Sequence, residues 1–320
     1  MKVLFHANTL NYRGTTVAVA DYAKYNQEVL GNESIIAYCK TYGQERDMGN
    51  EPSVIEALEK KFKVVGYRAG SLEKKIDELN IDLTYMIDSG QKKTIPTNCK
   101  TAVHAVFQFN EPYGDRYAYI SKWLSDEMSQ GQIPYVPHIV NLPPPTQSYR
   151  TALGLEGKIV IGRLGGYYTF DIQGIKEYIK KLVTNNDKFV FLFAGTEPFI
   201  DHPNVKFINE IHDLQKKANF INSCDCMIHA RERGESFGLS IAEFLFFNKP
   251  VLAWNGGHDK NHLEMLKGSG TLYSNEDDLN YMLHNLNDFK EDWSARVSEF
   301  KPEFVMKKFN EVFLNDPSSI

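Results

Sequence analysis

The sequence lacks most of what would mark a special environment. In 320 residues, no apolar run approaches the roughly 18 residues that a helix needs to cross a bilayer. The opening Met1–Asn8 has one lysine, a short apolar run and no small-residue cleavage site, so it reads as a strand rather than a secretion signal. A cytoplasmic location with no transmembrane segment is the expectation. Cysteine is sparse: Cys39, Cys99, Cys224 and Cys226. One residue separates Cys224 from Cys226 and no second pair stands nearby, which is not a four-ligand zinc spacing. Free thiols in a reducing compartment are expected. The net charge of -5 leaves no concentrated basic face of the kind nucleic acid requires. A local basic patch resting on a membrane surface is compatible with it. No G-x-G-x-x-G follows any strand-like run, so the dinucleotide fingerprint is missing.

What is present describes two ordinary domains. The length is about twice a common domain, and 42% hydrophobic residues can bury real cores. Short β-rich runs recur at Val3–His6, Ser34–Tyr38, Leu83–Ile87, Thr101–Phe107, Ile159–Leu164, Phe189–Ala194, Val205–Ile208, Met227–Ala230 and Val251–Trp254. Helical patterns alternate with them at Thr16–Leu30, Ser53–Lys61, Leu72–Leu79, Ile172–Val183, Leu214–Ser223 and Leu239–Phe247. Strands apolar on both faces, alternating with helices, predict parallel sheets covered on both sides. The three prolines Pro143, Pro144 and Pro145 interrupt the alternation as an extended connector. The expected fold is therefore α/β, with two Rossmann-like doubly wound domains, residues 1–145 and 146–300, facing across a cleft. A final helix, Pro302–Leu314, starts on proline and is expected to pack back on the first domain. Ligands of such folds gather beyond the carboxyl ends of the strands.

The most informative of those positions is His229-Ala-Arg-Glu-Arg-Gly-Glu-Ser-Phe-Gly-Leu-Ser-Ile-Ala-Glu-Phe244. A strand ends near Ala230, a charged loop follows, and a helix starts around Gly238. The amides of Phe237, Gly238 and Leu239 would lie open at that start, and with the helix dipole they suit a diphosphate. Glu235 lies before the helix. Glu243 lies inside it among apolar neighbours, where a carboxylate needs a partner. Ribose hydroxyls, a nearby Lys or Arg, and a capping box with Ser240 all remain open as that partner.

These residues resemble a known family. Glu235 and Glu243, with seven residues between them and Ser-Phe-Gly-Leu after the first, look like the E-x7-E motif of retaining GT-B glycosyltransferases of family 4, related to glycogen and sucrose synthases. The strand before it and Asn248-Lys-Pro-Val-Leu-Ala253 after it match the same context. The resemblance implies that Glu235 contacts the donor sugar and Glu243 the ribose. It also implies that Arg163, in Ile161-Gly-Arg-Leu164, contacts the donor diphosphate, that Gly195 lines the nucleotide site, and that Ile211 borders the base. Ser236, Phe237, Gly238 and Leu239 complete the donor site. In the first half, Gly14 and Thr15 lie in a loop resembling the family's glycine-containing loop near the diphosphate. His104, in Ala102-Val-His-Ala105, resembles a T-x-H-D segment whose histidine faces the donor sugar; Ala105 replaces the family's Asp. A lone histidine in an apolar strand also reads as a core residue.

The implied activity is metal-independent hexosyl or pentosyl transfer from a nucleotide sugar, with retention, to a glycan, lipid-linked or protein acceptor, in carbohydrate biosynthesis. No cofactor is implied beyond that donor substrate. One departure counts against it. Relatives carry a lysine just before the glycine that opens the helix after G-R-L, whereas Gln173 precedes Gly174 here. A GT-B nucleotide-sugar epimerase and a non-catalytic nucleotide-sugar-binding protein are the alternatives. Acceptor choice is expected in loops Thr41–Asn50 and Phe109–Asp115. Metal-dependent GT-A enzymes hold their cation with Asp-x-Asp, and none occurs in this sequence. Donor binding and turnover should therefore survive excess EDTA. Loss of turnover on chelation, restored by manganese or magnesium, would contradict the expected site.

Overall fold

The computed structural model describes residues 1–42 and 49–315, so most of the loop Thr41–Asn50 lies outside the described residues. The chain divides into two compact units, Met1–Ile139 with Phe300–Ile320, and Val140–Glu299.

In the first unit the order is β1 (Lys2–Ala7), α1 (Gly14–Glu28), β2 (Glu33–Cys39), α2 (Pro52–Glu59), β3 (Lys63–Tyr67), α3 (Leu72–Leu79), β4 (Leu83–Asp88), β5 (Lys100–Ala105), β6 (Arg116–Tyr119) and α4 (Lys122–Ser129). The strands form one sheet in the order β3-β2-β1-β4-β5-β6, and all its pairings are parallel. Every residue of β4 is buried, Thr84 and Asp88 included, as for a central strand covered on both faces.

The second unit holds α5 (Arg150–Leu153), β7 (Ile159–Leu164), α6 (Gln173–Asn185), β8 (Phe189–Ala194), β9 (Val205–Ile208), α7 (Leu214–Ser223), β10 (Cys226–His229), β11 (Gly234–Glu235), α8 (Leu239–Phe246), β12 (Val251–Trp254), β13 (Asp259–Lys260), α9 (Asn261–Met265), β14 (Leu272–Tyr273) and α10 (Glu276–His284). Its main sheet runs β14-β12-β10-β7-β8-β9, again parallel throughout. Phe189, Phe191 and Phe193 alternate along β8 and share one face of its core with Ile175, Ile179 and Leu279.

Both sheets have the doubly wound 3-2-1-4-5-6 order. It reverses direction between β1 and β4 in one unit and between β7 and β10 in the other. Each reversal opens a crevice at the carboxyl ends of those strands. The α/β expectation of two parallel, doubly wound sheets holds.

The unit boundary falls six residues before the expected one, because the proline segment belongs to the second unit. The Asn219 Oδ1 on α7 accepts from the amides of Thr146 at 2.8 Å and Gln147 at 3.2 Å, and Gln215 Nε2 donates to the Pro144 carbonyl at 3.0 Å. The last helix, α11 (Pro302–Phe309), continues as a π-helical turn through Asn310–Leu314. Its Phe309 is fully buried and packs against Tyr22 and Tyr85 with ring centroids 5.2 and 5.1 Å apart; Phe313 meets Tyr85 at 5.4 Å. The end of the chain thus seals an aromatic core begun at β1. Phe309→Ala should cost about 3–5 kcal/mol, as for other buried Phe→Ala changes. Urea denaturation measures it, and a loss under about 1 kcal/mol would show that α11 contributes little to that core.

Candidate functional site

The crevice of the second unit is built from the ends of β7 and β10. Arg163, next to last on β7, is only 4% exposed. Its Nη1 donates to the Gly195 carbonyl at 2.7 Å and to the Thr196 hydroxyl. Its Nη2 donates to the Gly166 carbonyl at 3.0 Å and to Thr169 Oγ1 at 2.7 Å. The guanidinium therefore ties together the loops that follow β7 and β8. Burial draws its pKa down to about 10; Glu235 and Asp171 oppose that shift, and Arg231 adds to it. Among the described residues no carboxylate stands within ion-pair distance of Arg163. A buried cation held only by neutral acceptors is costly, and an anionic ligand would relieve it.

Gly195 is where this clamp requires glycine. Its φ is +64°, and a Cβ would stand 2.5 Å from the Gly165 carbonyl oxygen and 2.7 Å from Glu210 Cγ. Ile211, after β9, is half-buried.

Glu235 is not in an irregular loop as expected. It ends the two-residue strand β11, which pairs in parallel with β13. Its Oε2 accepts from Arg231 Nη1 at 2.9 Å, and its Oε1 lies 3.4 Å from His229 Nε2. Burial alone would raise the Glu235 pKa. His229, by contact and by charge, and then Arg231 more than offset that, so the carboxyl is held below its ordinary value. His229 ends β10 and is 5% exposed, with no hydrogen-bond partner for Nδ1. Its ring lies 4.9 Å from that of His262, whose Nε2 donates to the Trp254 carbonyl at 3.1 Å. Burial, and next the proximity of His229, pull His262 down to about 4. Sequence reasoning missed His229, Arg231 and His262. The motif names only the glutamate, and its surroundings come from the end of β10 and from α9.

Helix α8 starts at Leu239, as its apolar pattern predicts. Gly238 is its N-cap at φ +93° and offers no side chain to cap it. A Cβ at Gly238 would meet Met265 Cε at 3.0 Å and Glu235 Cβ at 3.4 Å, so Glu235 packs directly beside the helix start. The first intrahelical bond is from the Ala242 amide to the Gly238 carbonyl, 3.0 Å. The amides that have no partner within the helix are then those of Gly238, Leu239, Ser240 and Ile241. Ser236 is half-buried, and Phe237 is buried with its carbonyl accepting from Asn261 Nδ2 at 2.7 Å. Glu243, 8% exposed, pairs with Lys217 Nζ at 2.7 Å. Lysine is thus one partner of Glu243 in the protein itself. The capping-box reading fails because Gly238, not Ser240, is the N-cap.

Three expected residues lie in the first unit. Gly14 and Thr15 are exposed at the start of α1, at the carboxyl end of β1. Gly14 has no positive φ, so the backbone there does not itself demand glycine. His104 takes the core position that a lone histidine in an apolar strand also allows. It is fully buried, with Nδ1 accepting from Tyr85 Oη at 2.6 Å and Nε2 donating to the carbonyls of Val136 at 2.8 Å and Tyr119 at 3.2 Å. Phe313 covers it at 5.2 Å between ring centroids. Strand alternation turns this side chain toward the returning C-terminal segment, which residues 102–105 alone do not reveal.

No family model matches the chain, and no curated protein matches its sequence. Solved structures do match its fold. A glycosyltransferase from Rickettsia africae is 15% identical, with a TM-score of 0.69, covering 98% of this chain and 99% of that one. HepE of Anabaena, solved with UDP and glucose, is 13% identical with a TM-score of 0.67, covering 98% and 95%. A Listeria monocytogenes protein assigned as a UDP-N-acetylglucosamine 2-epimerase is 12% identical with a TM-score of 0.57, covering 98% and 97%. The fold is that of the GT-B glycosyltransferases.

The buried histidines give a pH signature. Burial pulls His6, His138 and His262 down to about 4 and His104 down to about 3, from 6.5. The unfolded chain then binds more protons than the folded one below pH 6.5, so stability falls as the pH drops. Each histidine contributes up to about 1.4 kcal/mol per pH unit. Urea midpoints should be level above pH 7 and decline from pH 6.5 to 5. A midpoint unchanged over that window would refute the neutral, buried state of these rings.

Proposed function

We propose that this chain is a retaining, metal-independent glycosyltransferase that moves a sugar from a nucleoside-diphosphate sugar to an acceptor hydroxyl. The observation that carries the reading is Arg163: a buried cation without a carboxylate partner, in the same crevice as the uncapped start of α8. The likeness in fold to proteins that act on or bind nucleotide sugars agrees with it.

Loosening the bond between sugar and phosphate builds negative charge on the diphosphate. Arg163 and the open amides of Gly238 to Ile241 stabilise that charge without rearranging, which is the largest lever available to such a site. The acceptor attacks on the face the leaving group vacates, and its proton passes to a phosphate oxygen, so no carboxylate nucleophile is required. Glu235, ionised and fixed by Arg231 and His229, accepts a hydrogen bond from a sugar hydroxyl and orients the ring. Glu243, held at one oxygen by Lys217, offers the other to the ribose. Two other readings have a specific observation behind them. The Listeria neighbour favours an epimerase, and Gln173 in place of lysine favours a protein that binds without turnover.

A thermal-shift screen with UDP, GDP and ADP and their sugars tests the reading. A ligand at 100 times its Kd should add about 2.7 kcal/mol of stability. Glu243→Gln should weaken diphosphate and sugar nucleotide alike, because the ribose contact is common to both. Glu235→Gln should spare the bare diphosphate and lower turnover. A product formed without acceptor establishes the epimerase instead, and tight binding without any product establishes the non-catalytic reading. Should no nucleoside diphosphate or nucleotide sugar bind, the donor site itself is refuted.

A further inference from the structure

The crevice has more cations than Arg163, and their commitments differ. Both terminal nitrogens of Arg163 already have two protein acceptors each. Lys217 is paired with Glu243 at 2.7 Å, and Arg233 Nε with Asp259 at 2.9 Å. Lys176 lies over the Phe199 ring, 5.8 Å from its centroid. Gln173 is exposed and donates to Glu177 at 2.8 Å. Arg231 stands apart. Its side chain is 29% exposed, and its one ion pair is the Nη1 contact to Glu235; the rest of its guanidinium has no acceptor among the described residues.

The position of Arg231 is also specific. The Asp171 amide donates to the Ala230 carbonyl at 3.1 Å, and Asp171 Oδ1 accepts from the Glu232 amide at 2.7 Å. Both neighbours of Arg231 are therefore tied to a residue two places before Gln173. The loop after β10 is fastened to the start of α6, where the resemblance puts the missing lysine. Arg231 also bonds Glu235, which packs against the α8 N-cap.

We infer that Arg231 supplies the second cation for the leaving diphosphate, in place of the lysine absent at position 173. The inference rests on the nucleotide-sugar reading above. Arg231 presents its open donors to the terminal phosphate while Glu235 keeps one of its nitrogens occupied. The planar fork suits phosphate oxygens better than a lysine ammonium would.

Calorimetric titration of the full chain tests this, with UDP, GDP and ADP, then with the tightest binder and its monophosphate. Arg231→Gln should weaken the diphosphate by about 10- to 100-fold, the range of a charged hydrogen bond, and should change the monophosphate little. The loss should persist when Arg231→Gln is added to Glu235→Gln, and Gln173→Lys should recover part of it. Arg231→Lys keeps the charge and should fall between, and it carries the test if Arg231→Gln does not fold. An unchanged ratio of diphosphate to monophosphate affinity in both Arg231 variants overturns the inference. So does a loss that vanishes in the Glu235→Gln background, because Arg231 would then only position the glutamate. Wild-type protein that binds none of the three diphosphates overturns the underlying reading instead, whatever the variants do.

Discussion

The second unit depends on one buried guanidinium. Arg163 reaches from the end of β7 to the carbonyls of Gly166 and Gly195 and to the hydroxyls of Thr169 and Thr196. Without it the loops beyond β7 and β8 would keep the backbone tie from the Glu197 amide to the Tyr167 carbonyl at 2.9 Å, and the Gly195 carbonyl would lose its guanidinium donor. The arrangement also forces Gly195, because the carbonyl that meets the guanidinium belongs to a residue at φ +64°. A scaffold that buries a cation solely among neutral acceptors keeps an electrostatic demand that its own residues do not meet. A buried cation of this kind favours an anion beside it. It also separates two jobs that the sequence motif merges: fixing the loops and facing the phosphate. The terminal nitrogens of Arg163 perform the first, while its charge still bears on the second.

Much of the fold was legible because its strands are buried on both faces. Ile159–Leu164 and Phe189–Ala194 read directly as apolar runs, and α3 and α7 match their helical patterns to the residue. The strands that escaped lie at sheet edges or are very short. β3, Lys63-Val-Val-Gly-Tyr67, is half-exposed over most of its length and has a glycine inside it. β6 opens on Arg116 and covers only four residues at the other edge. β11 is two residues long and exists only through its pairing with Asp259 and Lys260, so nothing local marks it as a strand.

The site was legible where the backbone carries the chemistry and obscure where tertiary contacts do. Gly238 before an apolar helix follows from local pattern, and the resemblance points to Arg163 and Gly195. The Lys217 partner of Glu243 lies 26 residues upstream on α7. The His262 beside His229 arrives from α9. His104 shows the converse. Its tetrapeptide resembles a functional segment, but the groups that satisfy it are Tyr85, Tyr119 and Val136, with Phe313 across its face. One of those comes from the far end of the chain.

The two units share a strand order, yet their crevices carry opposite electrostatics. At the first unit's reversal, buried Asp88 ends β4 and is paired with Lys93, while His6 on β1 is bonded to Tyr67 at 2.5 Å. Burial draws His6 down to about 4, so that ring is neutral at physiological pH, and the acid has its own cation. Charge there is balanced within the protein. At the second unit's reversal Arg163 has no acidic partner, and Arg231 shares its one glutamate by a single nitrogen. A diphosphate carries more negative charge than any other part of a nucleotide sugar. It gains most where positive charge is already buried with no carboxylate in direct contact, since the cost of desolvating the protein's cation has been met during folding. The topology alone offers two equivalent crevices. The distribution of charge at their strand ends is what distinguishes them, and the proposed donor site follows the second.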